Sequence, residues 1–330
     1  MSIKIAVAGL AHSHGTGYLK ATVIQEGAEA VGFFDADNPR IAADTAEVFN
    51  APVYENLDSL LKNSGAGAVL TAAVNAKKAD IIVKAVEAGL HIISDKPLVT
   101  SLEDLDRVAA ALERHKSVKL YLMLTERYNP VLVTAKALIE AGEIGEPVNI
   151  IAMRPHRLRP EGRPAWMFDR SLYGGILNDL SVHDIDIVSW LGGAPVDKIL
   201  AACVSNKRFT QYADFRDNGE ALLRLENGCA AFVLASWLTP EQYPHHGEMK
   251  FIVHGTRGQI LADPQNNVVT LYSDTKKEHN AKIIKPSENY VTDSIRYLTE
   301  DGYTPAMDTE RALHATRAAL MCQQLAENGC

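Results

Sequence analysis

Two short segments of this 330-residue chain carry residue types that acid–base chemistry requires. Lys96 follows the apolar run His91–Ile93, so its side chain is predicted to emerge at the end of a buried strand. Asp179 and His183 are four residues apart, a spacing that places both side chains on one face of a helix. A lysine and such a pair can move a proton at one substrate carbon while a bound cofactor accepts a hydride.

The start of the chain predicts what would accept that hydride. An alternating apolar run, Ile3–Val7, ends at Gly9 and is followed by a helical pattern, and a second apolar run from Ala30 ends at Asp35. Strand, glycine turn, helix, strand and acid is the order of a dinucleotide-binding unit, with pyrophosphate at the helix N-terminus and the acid on the ribose. The predicted cofactor is NAD, and Arg40 is the feature that would accommodate NADP.

The glycine signature of this turn is incomplete. The positions of G-x-G-x-x-G hold Gly9, Ala11 and His14, and histidine departs from the close helix–strand packing expected at the third position. His12 and His14 also suggest a metal site, but a turn with two imidazoles and no nearby cysteine or carboxylate cluster is poor ligation. Contact with pyrophosphate or packing is preferred, and no metal is predicted.

These motifs resemble the glucose–fructose oxidoreductase/inositol dehydrogenase (Gfo/Idh/MocA) family over nearly the whole chain. The family's Glu-Lys-Pro motif appears as Asp95-Lys96-Pro97, its Arg-aromatic-Asn-Pro stretch as Arg127–Pro130, and its Gly-Gly-rich, Asp-x-x-x-His-Asp-x-Asp segment as Gly174–Asp186. The chain departs from the family pattern in two places, because Ala73-Val74 replaces Thr-Pro and Lys78 replaces a histidine. The resemblance implies cofactor contacts from Gly9, Ala11, His12, His14, Asp35, Arg40, Asn75 and Lys96.

For the reaction, the resemblance implies an NAD-dependent dehydrogenase acting on a secondary hydroxyl of a sugar, sugar acid or cyclitol. His183 would remove the hydroxyl proton, and Lys96 would donate a hydrogen bond to that oxygen and stabilise developing charge. Asp179 would hold the substrate or the imidazole. Arg127 is a further substrate-binding candidate, with an anchoring role at the domain junction as the alternative.

Two other functions remain open. Some members of this family use a transient oxidation by tightly bound NAD to drive glycoside cleavage or elimination, so the present chain would release product without accumulating NADH. The altered glycine turn is also compatible with a non-catalytic sensor that binds the nucleotide. Accumulation of NADH with a polyol substrate distinguishes the dehydrogenase from both.

The segment Arg154–Trp166 carries four arginines in a proline-stiffened loop just ahead of the predicted catalytic helix. An arginine fork binds carboxylate or phosphate with two hydrogen bonds. The hypothesis is that Arg157, Arg159 or Arg163 recognises an acidic group, with a solvated loop or a subunit contact as the alternative. Trp166 would offer an apolar face to a sugar ring.

The fold class predicted from the patterns is α/β. Apolar strands alternate with helical patterns up to Met123, which predicts a Rossmann-type parallel sheet in residues 1–123. Alternating stretches such as Ala230–Trp237 predict an α+β domain with a large, mostly antiparallel, open sheet in residues 124–330. The resemblance implies that a last helix, at about 308–326, packs back on the first domain.

Composition agrees with a two-domain enzyme. A hydrophobic content of 47% leaves room for two cores, and a net charge of −8 argues against nucleic acid or an anionic membrane as partner. No signal segment and no C-x-x-C spacing of the four cysteines is found, which predicts a cytoplasmic protein whose cysteines are thiols. The predicted partner is a small polyhydroxylated substrate, and the family implies a homodimer or homotetramer.

Overall fold

The computed structural model describes residues 2–24 and 27–329 and divides into two compact units. The first contains residues 1–123, 171–174 and 288–313, and the second contains 124–170, 175–287 and 314–330. The boundary after Met123 coincides with the predicted one. Two later segments differ from the predicted division, because residues 171–174 and 288–313 belong to the first unit.

The elements of the first 123 residues alternate as the sequence predicts. In chain order they are β1 (Ile3–Ala8), α1 (Ser13–Ile24), β2 (Ala28–Phe34), α2 (Pro39–Val48), α3 (Leu57–Asn63), β3 (Ala68–Thr71), α4 (Lys78–Glu87), β4 (His91–Ser94), α5 (Leu102–Arg114) and β5 (Leu120–Leu122). These strands form a parallel sheet in the order β2-β1-β3-β4-β5. Strands β3, β4 and β5 are almost entirely buried, as expected of continuous apolar runs in a parallel sheet.

The remaining elements include a second sheet, the helices of the second unit and, in residues 171–174 and 288–313, helical segments that belong to the first unit. In chain order they are α6 (Pro130–Glu140), β6 (Pro147–Pro155), α7 (Arg170–Tyr173), α8 (Ile176–Asp179), α9 (Ser181–Gly192), β7 (Val196–Ser205), β8 (Asn218–Leu225), β9 (Ala230–Ser236), β10 (Lys250–Gly255), β11 (Gly258–Asp263), β12 (Val268–Ser273), β13 (His279–Asn280), α10 (Tyr290–Thr299) and α11 (Thr309–Gly329). The sheet order is β13-β12-β11-β10-β6-β9-β8-β7, and among these described strands only the β6–β9 pair is parallel. The prediction of a large, mostly antiparallel sheet is confirmed.

The second sheet is buried on one face and open on the other. Along β9, Ala231 and Val233 are buried whereas Phe232 between them is 39% exposed, the alternation expected of a strand with one covered face. Helix α9 packs against β6 and β9 and covers the buried face. The helix ends at Gly192, and Gly193 follows in the left-handed conformation with φ +78°, the usual glycine C-terminal cap.

The single helix predicted to carry Asp179 and His183 is wrong in one respect. The structure has two helices there, because α8 ends at Asp179 and α9 begins at Ser181 after Leu180. A spacing of four residues is compatible with one continuous helix, but it does not show whether the helix is interrupted between the two residues.

The prediction that all four cysteines are thiols is wrong for Cys203, and for Cys330 it lies outside the described residues. Cys203 is disulfide-bonded, whereas Cys229 and Cys322 are free and buried. Burial raises the pKa of the Cys229 thiol to about 11 and that of the Cys322 thiol to about 12. Spacing along the chain could not show the bonded cysteine, because a disulfide depends on distance in the fold. Among the described residues, no helix is both long and apolar enough to cross a membrane.

Candidate functional site

The first unit offers a nucleotide site where its strand order reverses. The turn after β1 lies beside the end of β3, because the amide of Ala72 donates to the carbonyl of Gly9 and the amide of His12 donates to the carbonyl of Ala72. Gly9 has φ +89°, and a Cβ there would lie 2.4 Å from the Cβ of Ala73. This is the topological switch point at which open α/β sheets bind their ligands.

The incomplete glycine signature has a structural explanation. Gly15, and not position 14, makes the close approach between α1 and β3, because a Cβ on Gly15 would lie 2.7 Å from the Cβ of Ala72. His14 is therefore relieved of the packing role that the signature assigns to its position. Its side chain is half exposed, and its Nδ1 lies 3.0 Å from Oδ1 of Asp95.

Asp95 connects the nucleotide turn to the residue before Lys96. Its buried carboxylate lies within 3.3 Å of Nδ1 of His12 and 3.0 Å of Nδ1 of His14, and it accepts a hydrogen bond of 2.9 Å from the amide of Lys96. Burial raises the pKa of this carboxyl, but the His14 hydrogen bond and the charges of Lys78, His14 and His12 outweigh burial. The pKa is therefore well below its usual range, and Asp95 is a carboxylate.

The same cluster corrects one premise of the sequence analysis. No carboxylate was expected near His12 and His14, yet Asp95 places three potential metal-ligand atoms within 4.8 Å of one another. The sequence did not reveal this because 81 residues separate His14 from Asp95. We interpret the cluster as a hydrogen-bond network, since Nδ1 of His14 bonds Oδ1 of Asp95 and Nδ1 of His12 accepts a hydrogen bond from the amide of His14.

Lys78 is the functional residue that sequence reasoning missed. Its side chain is fully buried, and its Nζ donates hydrogen bonds to three successive carbonyls, those of Asp95 at 3.0 Å, Lys96 at 3.2 Å and Pro97 at 2.9 Å. The ammonium thus fixes the backbone of the turn that carries the Lys96 side chain. The only signal in the sequence was that Lys78 stands where the resemblance leads one to expect a histidine.

Asp35 lies at the end of β2, as the ribose contact was predicted to do. Its carboxylate accepts hydrogen bonds from the amides of Leu10, Asp37 and Asn38 at 2.7–2.9 Å and from the Asn38 side chain at 3.2 Å. Two carboxylate oxygens offer about four acceptor positions. A ribose hydroxyl would therefore replace the longest of these bonds, the one from the Asn38 side chain.

The two other predicted cofactor residues differ in their surroundings. Arg40 has a side chain that is 92% exposed, with Nε 3.8 Å from a carboxylate oxygen of Asp44. Asn75 is buried, and its side-chain amide donates to the carbonyl of Tyr173 at 2.9 Å. That hydrogen bond attaches residues 171–174 to the first unit.

The second unit contains the predicted Asp/His pair. Asp179 is buried at the end of α8, and His183 is half-buried in the first turn of α9. The next residue, Asp184, is fully buried and accepts a hydrogen bond of 2.9 Å from Nε of Arg154, which also binds Glu126 at 3.0 Å. Burial raises the pKa of Asp184 to about 6 against the opposing effect of Arg154. This pair attaches the start of α9 to β6.

Arg127 makes a bidentate ion pair inside the second unit. Its Nε and terminal nitrogen donate to the two carboxylate oxygens of Asp186 at 2.8 and 2.7 Å, and the guanidinium lies 5.5 Å from the ring centre of Trp190. Both partners are buried. The pair joins two residues of the same unit, so the substrate contact of Arg127 and its alternative role at the domain junction both stay predictions.

The structure places the predicted residues in two groups. Gly9, Ala11, His12, His14, Asp35, Asn75 and Lys96 belong to the first unit, with the β1–α1 turn linked directly to Asp35 and Asp95. Asp179, His183, Arg127 and Trp166 belong to the second unit. Trp166 is half-buried in a short helical turn, Ala165–Phe168, of the arginine-rich segment.

Two family models match the chain and divide it as the fold does. The model described as an oxidoreductase family with an NAD-binding Rossmann fold matches residues 3–122. The model of the GFO/IDH/MocA C-terminal domain matches residues 132–261. These matches cover the whole first sheet and the second sheet from β6 into β11.

Named relatives include inositol dehydrogenases. The chain is 32% identical over 204 residues to scyllo-inositol 2-dehydrogenase (NAD(+)) of Bacillus subtilis, a match that covers 61% of the chain and 56% of that protein. It is 26% identical over 331 residues to inositol 2-dehydrogenase 2 of Saccharopolyspora erythraea, covering 96% of the chain and 93% of that protein. A crystal structure of a protein from Erwinia carotovora atroseptica superimposes with a TM-score of 0.87 at 26% identity, covering 98% of the chain and 99% of that structure.

Proposed function

Because the chain belongs to the Gfo/Idh/MocA family of oxidoreductases, with an NAD-binding Rossmann fold at its N-terminus, we propose that it is an NAD-dependent dehydrogenase. Its substrate is a small polyhydroxylated compound, a sugar, sugar acid or cyclitol, oxidised at a secondary hydroxyl. The observation that carries the proposal is the role of Asp95, which hydrogen-bonds His14 of the nucleotide turn and the amide of Lys96. The cofactor turn and the lysine are thereby parts of one hydrogen-bonded assembly.

The β1–α1 turn fits a dinucleotide. Gly9 leaves space that a Cβ would fill, so that the backbone can approach a pyrophosphate, and the first amides of α1 favour an anion. The bound nicotinamide supplies the hydride acceptor. Asp35 favours NAD over NADP because a buried carboxylate repels a 2′-phosphate.

Lys96 acts as the hydrogen-bond donor to the substrate oxygen. A fixed ammonium there lowers the pKa of the hydroxyl and stabilises the negative charge that develops as the proton leaves. Its backbone is held by Lys78 on one side and by the Asp95 carboxylate on the other. The backbone that carries the donor is thus fixed before substrate binds, and preorganisation of this kind favours electrostatic stabilisation.

His183 acts as the general base and Asp179 positions it or the substrate. Histidine suits this task because its ordinary pKa lies near working pH. The half-buried His183 is accessible at the start of α9, while its neighbours Val182 and Asp184 are buried. Lys96 and His183 belong to different units, so their assignment to one reaction is tested by kinetics.

The open face of the second sheet supports a homodimer or homotetramer. Leu222 and Phe232 are 38% and 39% exposed on neighbouring strands of that face, and exposed apolar side chains in contact favour association. Light scattering after size exclusion should give a mass of two or four chains. A monomer at micromolar concentration would contradict this assembly.

A substrate panel tests the proposed reaction. Purified protein is incubated with NAD and with sugars, sugar acids and inositols, while NADH absorbance and product are followed in parallel. We expect NADH to accumulate in step with the ketone product, and Lys96→Met to abolish it. Product without NADH would indicate redox-assisted cleavage, and nucleotide binding without product would indicate a sensor; either result overturns the dehydrogenase.

A further inference from the structure

The ends of β6 and β9 lie beside the start of α9. Helix α9 runs antiparallel to β6, because Asp184 near its first residue binds Arg154 near the end of the strand. Its last residue, Gly192, is next to Ile150 near the beginning of the strand. Side chains on the covered face just beyond the ends of β6 and β9 are therefore on the same side of the second unit as His183.

Two of the three candidate arginines are already committed to protein groups. Arg157 is buried and donates to the carbonyls of Pro240, Tyr243 and His245, so it holds the loop after β9. Arg159 is exposed, and its Nε lies 3.5 Å from a carboxylate oxygen of Glu241. Both guanidinium groups therefore already have protein partners that would compete with an anionic ligand.

The Arg163 side chain is held in place by protein contacts, but no carboxylate neutralises its positive charge. Its Nε donates to the carbonyl of Leu158 at 2.9 Å, and its guanidinium lies 5.0 Å from the ring centre of Trp237. Within residues 2–24 and 27–329, no carboxylate lies within 4.0 Å of it, and its terminal nitrogens donate no hydrogen bond to the protein. Stacking on an aromatic ring presents such a fork at low conformational cost.

Two imidazoles complete the surroundings of Arg163. The ring of His156 lies 4.9 Å from that of His246 and 5.9 Å from that of Trp237, all measured between ring centres. Burial, followed by the charges of Arg163, Arg157 and Arg159, lowers the pKa of His246. Glu241 is the carboxylate that pairs with Arg157 and Arg159, so the positive charge of Arg163 remains uncompensated.

Trp237 contributes a further donor to this group. It is 2% exposed, and its indole N–H has no hydrogen-bond acceptor among the described residues. Buried donors of this kind ordinarily have a partner. We call Arg163, Trp237, His156 and His246 the Arg163 cluster.

We propose that the Arg163 cluster binds the anionic group of the substrate, a carboxylate, and that sugar acids are the substrate class of this dehydrogenase. The inference rests on the proposed function, because it assigns the ligand to the same side of the second unit as the proposed base His183. One guanidinium with two imidazoles suits a singly charged carboxylate, whereas a phosphate dianion calls for more compensating charge.

Binding and kinetics of matched pairs test the proposal. D-Glucuronate, D-galacturonate and D-gluconate are compared with D-glucose, D-galactose and D-glucitol, and glucose 6-phosphate serves as the phosphate arm. Calorimetric titration of the protein saturated with NADH, which cannot oxidise the hydroxyl, measures affinity without turnover, and NADH formation in separate assays with NAD gives kcat and KM. The variants are Arg163→Gln and the matched control Arg159→Gln, which removes a neighbouring exposed guanidinium.

We expect at least one acid to bind about 10- to 100-fold more tightly than its neutral partner, the range of a charge-assisted hydrogen bond. Arg163→Gln should raise KM for the acids to that of their neutral partners, while Arg159→Gln should retain the difference. Equal binding of acids and neutral sugars, loss of the difference in both variants, or a preference for the phosphate would overturn the proposal. If acids bind through Arg163 but no NADH forms, the anion site stands and the proposed function fails.

Discussion

The ammonium of Lys78 donates a hydrogen bond to the backbone carbonyl of Lys96 across 3.2 Å, from a position fully shielded from solvent. The carbonyls on either side, of Asp95 and Pro97, accept from the same ammonium. A buried charge requires this degree of hydrogen bonding, and in return it fixes the backbone it contacts. Lys78 is therefore a positioning residue for the proposed donor Lys96.

Lys78→Met should lower both stability and turnover. The substitution leaves three buried carbonyls without their donor, at a cost of about 2–3 kcal/mol in the free energy of unfolding. A shift of about 1 Å in the turn lowers turnover roughly 10²-fold. Urea unfolding and NADH formation measure the two effects. Lys84→Met on the same helix, an exposed lysine paired with Asp58, is the control, and equal behaviour of the two variants would contradict the positioning role.

Asp95→Asn should flatten the acid limb of the stability profile. The pKa of the Asp95 carboxyl is held below its usual 3.8 in the folded protein. A depressed pKa contributes stability that is present above about pH 4 and is lost as the pH falls through the folded-state pKa. Urea titrations from about pH 5 to pH 2 should therefore show a shallower loss for the variant. Parallel profiles would indicate that His12 and His14 do not stabilise the carboxylate.

Much of the fold was predictable, because hydrophobic periodicity records burial directly. Strands such as Ile3–Ala8 and Ala230–Ser236 lie where the apolar patterns place them, and the cap at Gly193 follows from its glycine. The break at Leu180 was not predictable, since its residues continue a helical pattern. The role of Gly15 was also hidden, because the signature assigns the close approach to the preceding position.

The residue types of the candidate site were predictable from the sequence, but the hydrogen-bond partners of those residues were not. Lysines are almost never fully buried, so the sequence gives no reason to expect a buried, hydrogen-bonded ammonium at Lys78. Nothing in the sequence separates Arg157 from Arg163 as an anion-binding candidate. The structure does, because the guanidinium of Arg157 donates hydrogen bonds to backbone carbonyls. Contacts between residues distant in the chain, such as His14 with Asp95, carry no local signal.

Arg127 and Asp186 should behave as one structural unit. Removing either member of a buried bidentate pair leaves an uncompensated charge, so Arg127→Met should cost about 3–5 kcal/mol in the free energy of unfolding. The double variant Arg127→Met/Asp186→Leu should lose less than the sum of the single changes. Additive losses in urea unfolding, or an increase in KM without loss of stability, would instead support a substrate contact.

The protein should use NAD more efficiently than NADP. The buried carboxylate of Asp35 opposes a 2′-phosphate, while the exposed Arg40 is available to a phosphate. Asp35→Ser should narrow the ratio of kcat/KM for the two cofactors, and Arg40→Ala should leave NAD kinetics unchanged. Equal efficiency with both cofactors in the unaltered protein would show that Arg40 governs the pocket.

The most direct measurement is the rate of NADH formation, with the best substrate of the panel, in Lys96→Met and His183→Asn. Loss of a donor or a general base lowers turnover about 10²-fold or more, and nucleotide affinity should be retained in both variants. Lys84→Met should match the unaltered protein. Turnover near normal in Lys96→Met and His183→Asn would contradict the account, because neither residue would then take part in moving the proton.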